Sequence, residues 1–439
     1  MTEISAGAYS DPNKTPPLAQ AVPLGLQHVL AMFASNVTPS IIVAGAAGLA
    51  FGGTDQVYLI QMAMLFAGIA TLFQTIGVGP VGARLPIMQG TSFAFVGVLA
   101  GVAATQGMGV ALTACLIGGS IHFCLGAFIS KLRWLFPPLV TGLVILAIGL
   151  YLIPVAIKYA AGGAAPFQME AESFGSLKHW SVALSVVIVA LALKFFTKGT
   201  LSNAGILVGL VVGYLLAFAM GMVNFGAVAK ASWLTGITAF PYGFEFSLGA
   251  VIAVTLVSVV SAIETVGDAS ATTKAGAGRE ATDAEISGAT FADGLGTAVA
   301  AVFGGLPNTS FSQNVGIVGM TGIMSRHVVT IGAIILILCG LVPKVGAVIA
   351  SMPLPVLGGG VIVMFGMVAA AGLHVLSEIE MNRRNMIIIA VSLAAGLGLN
   401  LVPTAVQYLP GVVKTLATSA VAPTALVAIV LNLVLPHED

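Results

Sequence analysis

The side chains able to do chemistry are few, and they sit inside apolar runs. Glu264 and Asp268 stand four residues apart in Ser-Ala-Ile-Glu-Thr-Val-Gly-Asp, at 261–268. That spacing puts both carboxyls on one helix face. Two carboxylates this close in a low dielectric cannot both be ionised cheaply. One of them is therefore expected to hold a proton at neutral pH, or to accept hydrogen bonds from a ligand's N–H groups. Asp268 has a second reading, as a solvated group at a cytoplasmic helix end. Asp293 and His28 are the other polar residues in apolar surroundings. Asp293 either ties helices together by bonding the donors of a half-helix or transfers protons. His28 either relays a proton or shapes the site, and the site-shaping role is preferred. His122 has no evident partner and reads as structural; Arg326 and His327 read as interfacial. Ionisable groups inside a membrane point to function because they are costly to keep there.

The stretch that would meet these carboxyls begins Gly304-Gly305-Leu306-Pro307, which cannot be a normal helix interior. Asn308, Thr309, Ser310, Phe311, Ser312, Gln313 and Asn314 follow, and only then does a helical pattern return. The expectation is a broken helix: an extended entry, then a half-helix starting near Gln313. Non-helical backbone inside a membrane is tolerated only where it is buried in protein or lines a cavity. The half-helix start leaves free N–H groups and a partial positive charge facing that cavity. Gln313 adds one acceptor and two donors. The combination suits a flat, polar, hydrogen-bonding small molecule. A second copy of the stretch, Leu85-Pro86 followed by Thr91-Ser92-Phe93-Ala94-Phe95, lies in the other half of the chain.

These residues need elements to position them. The chain has 439 residues, 58% of them hydrophobic and 7% charged, with a mean hydropathy of +1.06, a balance foreign to soluble domains. Apolar runs near 20 residues recur throughout, as membrane-spanning helices require. Fourteen spans are expected, at about 22–49, 56–76, 85–104, 109–129, 136–157, 179–196, 202–223, 247–268, 283–303, 308–323, 326–350, 354–373, 385–401 and 407–435. Residues 1–21 read as a loose cytoplasmic tail without a signal-peptide pattern. With both termini inside the cell, 11 of the 16 Lys and Arg residues fall on the cytoplasmic side and 5 outside, as the positive-inside tendency asks. A net charge of zero gives no basic patch for nucleic acid. Cys115, Cys124 and Cys339 lie in apolar runs and are expected to be buried packing residues. Gly276 and Gly278 near Lys274 follow no strand, so a phosphate loop is excluded. No cofactor, metal or nucleophile triad is expected, and transport would be driven by an ion or substrate gradient.

The spacing of landmarks indicates duplication. Thr91-Ser92-Phe93 recurs at Thr309-Ser310-Phe311, an offset of 218 residues. Phe136-Pro137-Pro138-Leu139-Val140-Thr141-Gly142 is echoed by Pro353-Leu354-Pro355-Val356-Leu357-Gly358-Gly359, an offset of 217. Seven spans per half is an odd number, so the halves would be inverted in the membrane. Paired broken helices in inverted repeats are an architecture of secondary transporters, with the site at mid-membrane.

The motifs resemble the nucleobase–ascorbate transporters, also called the nucleobase cation symporter-2 family. The family signature, Gln/Glu/Pro-Asn-x-Gly-x-x-x-x-Thr-Arg/Lys/Gly, is matched by Gln313-Asn314-Val315-Gly316-Ile317-Val318-Gly319-Met320-Thr321-Gly322. Gln27-His28, Glu264-Thr265-Val266-Gly267-Asp268, Ala292-Asp293-Gly294 and Thr91-Ser92-Phe93-Ala94-Phe95 match its other motifs. The resemblance implies an all-α membrane fold of fourteen spans in two inverted seven-helix repeats, with short strands in spans 3 and 10. It implies a core domain (22–130 and 247–350) moving as an elevator against a gate domain (131–246 and 351–439), with proton symport, and a homodimer formed through the gate. Glu264 and Gln313 would bind the base through side chains, with backbone near Phe93 and Ser312 adding bonds. His28 and Asn314 would order the site, and Asp268 and Asp293 would support it or handle protons. Uracil-type members carry Glu, His and Arg or Lys at the positions of Gln313, Asp268 and Gly322. This chain departs at all three, and Gln313 and Gly322 resemble the xanthine and urate branch. Ser92 is small where xanthine-selective relatives can carry Asn, so both xanthine and urate are expected as substrates. A uracil or broad nucleobase symporter, and an anion transporter or channel of the same fold, are the alternatives. The cell membrane is the expected location.

Overall fold

The computed structural model describes residues 10–135, 137–163, 166–234 and 236–436. Residues 1–9 of the expected tail, Phe136 of the repeated landmark and the last three residues lie outside this description.

The first half runs α1 (Leu18–Ala46), α2 (Thr54–Ile76), strand β1 (Gln89–Thr91), α3 (Val96–Gln106), α4 (Met108–Leu125), α5 (Pro138–Ala160), α6 (Leu177–Phe196) and α7 (Gly205–Ala219). The second half runs α8 (Leu248–Ala277), α9 (Asp283–Val302), strand β2 (Asn308–Ser310), α10 (Ser312–Thr321), α11 (Arg326–Leu341), α12 (Leu354–Ser377), α13 (Arg383–Leu401) and α14 (Val421–Val434). Local chemistry sets several ends. Ser176 caps α6, Ser247 caps α8 and Asn382 caps α13, each accepting from a first-turn backbone N–H. Thr282 and Glu285 form a capping box on α9. Gly322, at φ 65°, takes the left-handed turn that stops α10 after ten residues.

Among the described residues, eight helices are long and apolar enough to cross a membrane, and nine if the pair Arg326–Leu341 and Pro343–Ala350, bent by 80°, is one span. Fourteen spans would also need three shorter apolar helices, Phe93–Gln106, Gly205–Ala219 and Val421–Val434, together with the acid-bearing α9 and the ten-residue α10. Several expected boundaries are corrected. The first span starts at Leu18, and the tail before it is held, because Arg326 N donates to Pro12 O at 3.0 Å and Arg326 Nε to Asn13 Oδ1 at 3.0 Å. The span expected to end at 268 continues to Ala277, since its small Ser, Thr and Ala residues lower hydropathy without breaking a helix. The last expected span is interrupted: Ala420, at φ 59°, separates Gly411–Ala417 from α14. Cys115 is buried, but Cys124 is exposed and Cys339 half-buried, so only the first fits the packing expectation fully.

Packing pairs the elements in a pattern that recurs across the halves. α4 lies on α9 as α11 lies on α2; α4 meets α8 as α11 meets α1; α6 packs on α7 as α13 packs on α14. Each pairing becomes its counterpart when the helices of the two halves are matched in order, their starts lying about 206–230 residues apart. α5 and α12 lie against one another along glycines: a Cβ on Gly149 would stand 2.4 Å from Ala369 N, and one on Gly372 would stand 2.4 Å from Leu146 N. Apolar side chains such as Phe95, Met32, Ile41 and Phe365 fill the centre.

Candidate functional site

The site is assembled where the chain cannot be helical. Pro86 and Pro307 remove backbone donors just ahead of the two strands, so each segment finds its hydrogen bonds across the gap to the other. β1 and β2 pair antiparallel, Gln89 with Ser310, Gly90 with Thr309 and Thr91 with Asn308. Ser92 N donates to Pro307 O at 2.8 Å and Phe311 N to Met88 O at 3.0 Å, extending the ladder at both ends. The pair Gly90–Thr309 becomes Asn308–Thr91 under the 218-residue offset, so the register itself obeys the duplication. Side chains from the surrounding helices then fix the strands. Asn36 on α1 accepts from Thr91 N (2.8 Å) and Thr91 Oγ1 (3.1 Å). Thr297 Oγ1 on α9 accepts from Asn308 N at 3.0 Å, and Ser261 Oγ on α8 donates to Thr309 Oγ1 at 3.2 Å.

The carboxyls divide the work. Asp293, fully buried on α9, accepts from Gln89 Nε2 and from Thr265 Oγ1, binding β1 to α8. Asp268 is not at a solvated helix end: it is buried mid-helix, accepting from Ser310 Oγ at 2.6 Å and Ser312 Oγ at 2.7 Å. It thereby ties the end of β2 and the start of α10 to α8. Asn314 Nδ2 donates to His28 Nδ1 at 2.9 Å and to His28 O at 3.0 Å. An amide oxygen placed there would face the His28 carbonyl, so the nitrogen belongs at that position and Nδ1 acts as acceptor. His28 and Asn314 together anchor α10 to α1.

In front of this scaffold lies a cavity of about 240 Å³. Glu264, Gln313, Ser312, Thr91 and Thr309 give its polar side, and Phe93 and Phe311 flank them. The facing wall is aliphatic: Ile145 and Ile148 from α5, and Met367, Val368 and Ala371 from α12. Among the described residues, neither the Glu264 carboxylate nor the Gln313 amide has a hydrogen-bond partner, whereas the acids behind them are satisfied. The Phe93 ring is held edge-on by Phe365, centroids 5.3 Å apart.

Of the residues expected at the site, Glu264, Gln313, Phe93 and Ser312 line the cavity. His28, Asp268, Asp293 and Asn314 stand behind it. Ser92 does not line it: its Oγ accepts from Ala94 N at 3.3 Å and caps the turn into α3. A size argument based on its side chain meeting the ligand therefore fails. His122 is buried, with both ring nitrogens unpaired among the described residues. Asn36, Gln89 and Thr265 escaped sequence reasoning, although each is a polar residue in an apolar run close to a recognised motif. The aliphatic wall carried no signal, since Ile, Val and Met are ordinary in any span. No group of three or more His, Cys, Asp or Glu able to hold a metal is found among the described residues.

Comparison with known proteins shows the family. A family model described as "Permease family" matches residues 19–405. A putative purine permease of Clostridium perfringens is 38% identical, covering 96% of this chain and 91% of that protein. The uric acid permease PucK of Bacillus subtilis is 37% identical, covering 94% and 95%. The xanthine permease XanP of Escherichia coli is 35% identical, covering 96% and 93%. Among solved structures, the transmembrane domain of a cyanobacterium bicarbonate transporter, BicA, aligns with a TM-score of 0.64 at 15% identity, covering 95% of this chain and 98% of that one. At that identity the likeness concerns the fold.

Proposed function

The chain belongs to the nucleobase–ascorbate transporter family, with the xanthine and uric acid permeases, and is a multi-pass membrane protein; from that premise we propose that it imports the oxopurines xanthine and urate by proton symport. The observation that carries this is the pairing of a carboxylate, Glu264, with an amide, Gln313, both without a hydrogen-bond partner among the described residues, on one side of a cavity of about 240 Å³. Glu264 accepts from ring N–H groups on one edge of the base. Gln313 gives and takes a hydrogen bond on another, and backbone near Phe93 and Ser312 completes the set. A ligand matching one edge alone leaves a buried group unpaired, which is how such a site discriminates. Gln313→Ala is expected to weaken xanthine binding at least tenfold while thermal stability in detergent holds, because a half-buried side chain at a cavity wall is lost. Titration calorimetry with xanthine, urate, uracil and hypoxanthine tests this. Parent-like xanthine affinity in the variant, or uracil binding that xanthine does not displace, would overturn the assignment.

In the proposed mechanism fourteen spans form two inverted repeats. The core, 22–130 and 247–350, carries the site past the gate, 131–246 and 351–439, which also forms the homodimer contact. Both termini lie in the cytoplasm and the protein resides in the cell membrane. Three features support the arrangement: the symmetric strand register, the recurrent helix pairings, and a cavity whose polar side comes from core segments and whose aliphatic wall comes from gate helices. An aliphatic wall makes no hydrogen bonds that sliding must break. Gly267 and Lys274 on α8 and Gly316 and Gly319 on α10 are exposed and lie between the cavity and the ends that this orientation places in the cytoplasm. On this orientation we take the cavity to face the cytoplasm. Asp268 and Asp293 are the acids placed to take the coupled proton, acting with Glu264 as a group.

A further inference from the structure

Duplication allows one half of the chain to be compared with the other at single-residue level. In α5 and α12, Gly142 and Gly149 recur as Gly359 and Gly366 at the offset of 217, which sets Tyr151 opposite Val368. In the broken segments, Phe93 stands opposite Phe311 and Gly97 opposite Val315 at the offset of 218. The glycine pairs of α5 and α12 and the Phe93–Phe311 pair are alike, but Gly97 and Val315, and Tyr151 and Val368, are not.

Tyr151 is buried on α5, and its hydroxyl reaches the first turn of α3. Gly97 N donates to Tyr151 Oη at 2.8 Å, and Tyr151 O–H points to Phe93 O at 3.4 Å. The phenol thus satisfies one of the amides that a helix start leaves free, and it meets the backbone of a residue that lines the cavity. A Cβ on Gly97 would stand 3.2 Å from the Tyr151 ring and 3.3 Å from Ser419 O, so α3 is closely packed against this side. In the other half Val368 has no hydroxyl to offer. Val368 and Phe311 line the cavity instead, and the first turn of α10 opens onto it. The phenol of the first repeat fills the place that the cavity occupies in the second.

We propose that Tyr151 is a one-sided latch, joining α5 to the α3 turn when the cavity faces the cytoplasm and having no counterpart when it faces outward. The proposal rests on the core and gate reading above. Because the bond exists in one state alone, it weights the equilibrium toward that state by its own net worth, and a neutral hydrogen bond shifts such a ratio by about fivefold. Tyr151 acts as a positioning residue: it holds the Phe93 backbone without touching the ligand.

The test is Tyr151→Phe, which keeps the ring and removes the oxygen. In a background with Cys115, Cys124 and Cys339 replaced by Ala, spin labels at Gly319→Cys on α10 and Leu373→Cys on α12 report the inward and outward populations as distances. The inward-to-outward ratio should fall about fivefold in Tyr151→Phe. Amide hydrogen exchange across 93–99 should quicken by a similar factor at Gly97, which gives a second reading where the outward population of the parent is small. Unchanged exchange at Gly97 with an unchanged ratio would overturn the latch while leaving alternating access standing. A parent whose distances and exchange ignore saturating xanthine would overturn the core and gate reading, and the latch with it.

Discussion

Glu264→Gln is expected to lose xanthine binding by about two to three orders of magnitude while the protein still folds. Glutamine keeps the length and shape of the side chain, so the cavity does not collapse. What changes is the hydrogen-bond set: one carboxylate oxygen becomes an NH2 group facing the ring N–H groups of the base. A bond to a charged acceptor is worth about 1.5–3 kcal/mol, and an unpaired buried donor costs about 1–3 kcal/mol more; the lower half of the summed range, about 2.5–4 kcal/mol, gives the predicted factor for a side chain at a cavity wall. The acids behind the cavity do not depend on Glu264 for any hydrogen bond, so the strand pairing should survive. Calorimetric titration of the purified variant reads the affinity, and its melting temperature reads the fold. An affinity within threefold of the parent would remove Glu264 from the site.

The second large effect is expected at Asp293. Its two carboxylate oxygens accept from Gln89 Nε2 and Thr265 Oγ1 in a fully buried setting. Asp293→Ala leaves both donors without that acceptor between β1, α8 and α9. Gln89 Nε2 is left without an acceptor, whereas Thr265 Oγ1 keeps Ser261 O at 3.1 Å; one orphaned amide predicts a destabilisation of about 1–3 kcal/mol, so a lower melting temperature should accompany the loss of uptake. Asp293→Asn separates the two roles. It keeps one acceptor and the shape, so most of the stability should return, while the capacity to hold and release a proton does not. Normal melting with proton-driven uptake intact in Asp293→Asn would exclude Asp293 from coupling and leave it a tie between helices.

Much of this arrangement was legible in the sequence because polar residues are conspicuous in apolar chains. Glu264, Asp268, Asp293, His28 and the Gln313-Asn314 pair each stood out against their surroundings. Pro86 and Pro307, with the repeated Thr-Ser-Phe, marked where helices had to break. The pattern could not say which way each carboxyl turns. Spacing of four put Glu264 and Asp268 on one face, yet Ser310 and Ser312 draw Asp268 back into the scaffold and leave Glu264 alone at the cavity. Ser92 misled for a related reason: a short hydroxyl near a strand end bonds its own backbone more readily than a distant ligand. Span boundaries failed where small polar residues extend a helix, as after Asp268, or where one residue in an unusual conformation divides it, as at Ala420. The aliphatic wall from α5 and α12 could be found only in three dimensions, since its residues differ in no way from those facing lipid.

The central claim is that a purine moves with a proton through the cavity between Glu264 and Gln313. Radiolabelled xanthine uptake into cells expressing the chain, with and without a protonophore and against excess urate, uracil, hypoxanthine and ascorbate, tests it most directly. The expected result is uptake that collapses with the protonophore and is blocked by urate but not by uracil. Uptake of uracil in the absence of any for xanthine, or xanthine uptake indifferent to the protonophore, would contradict it.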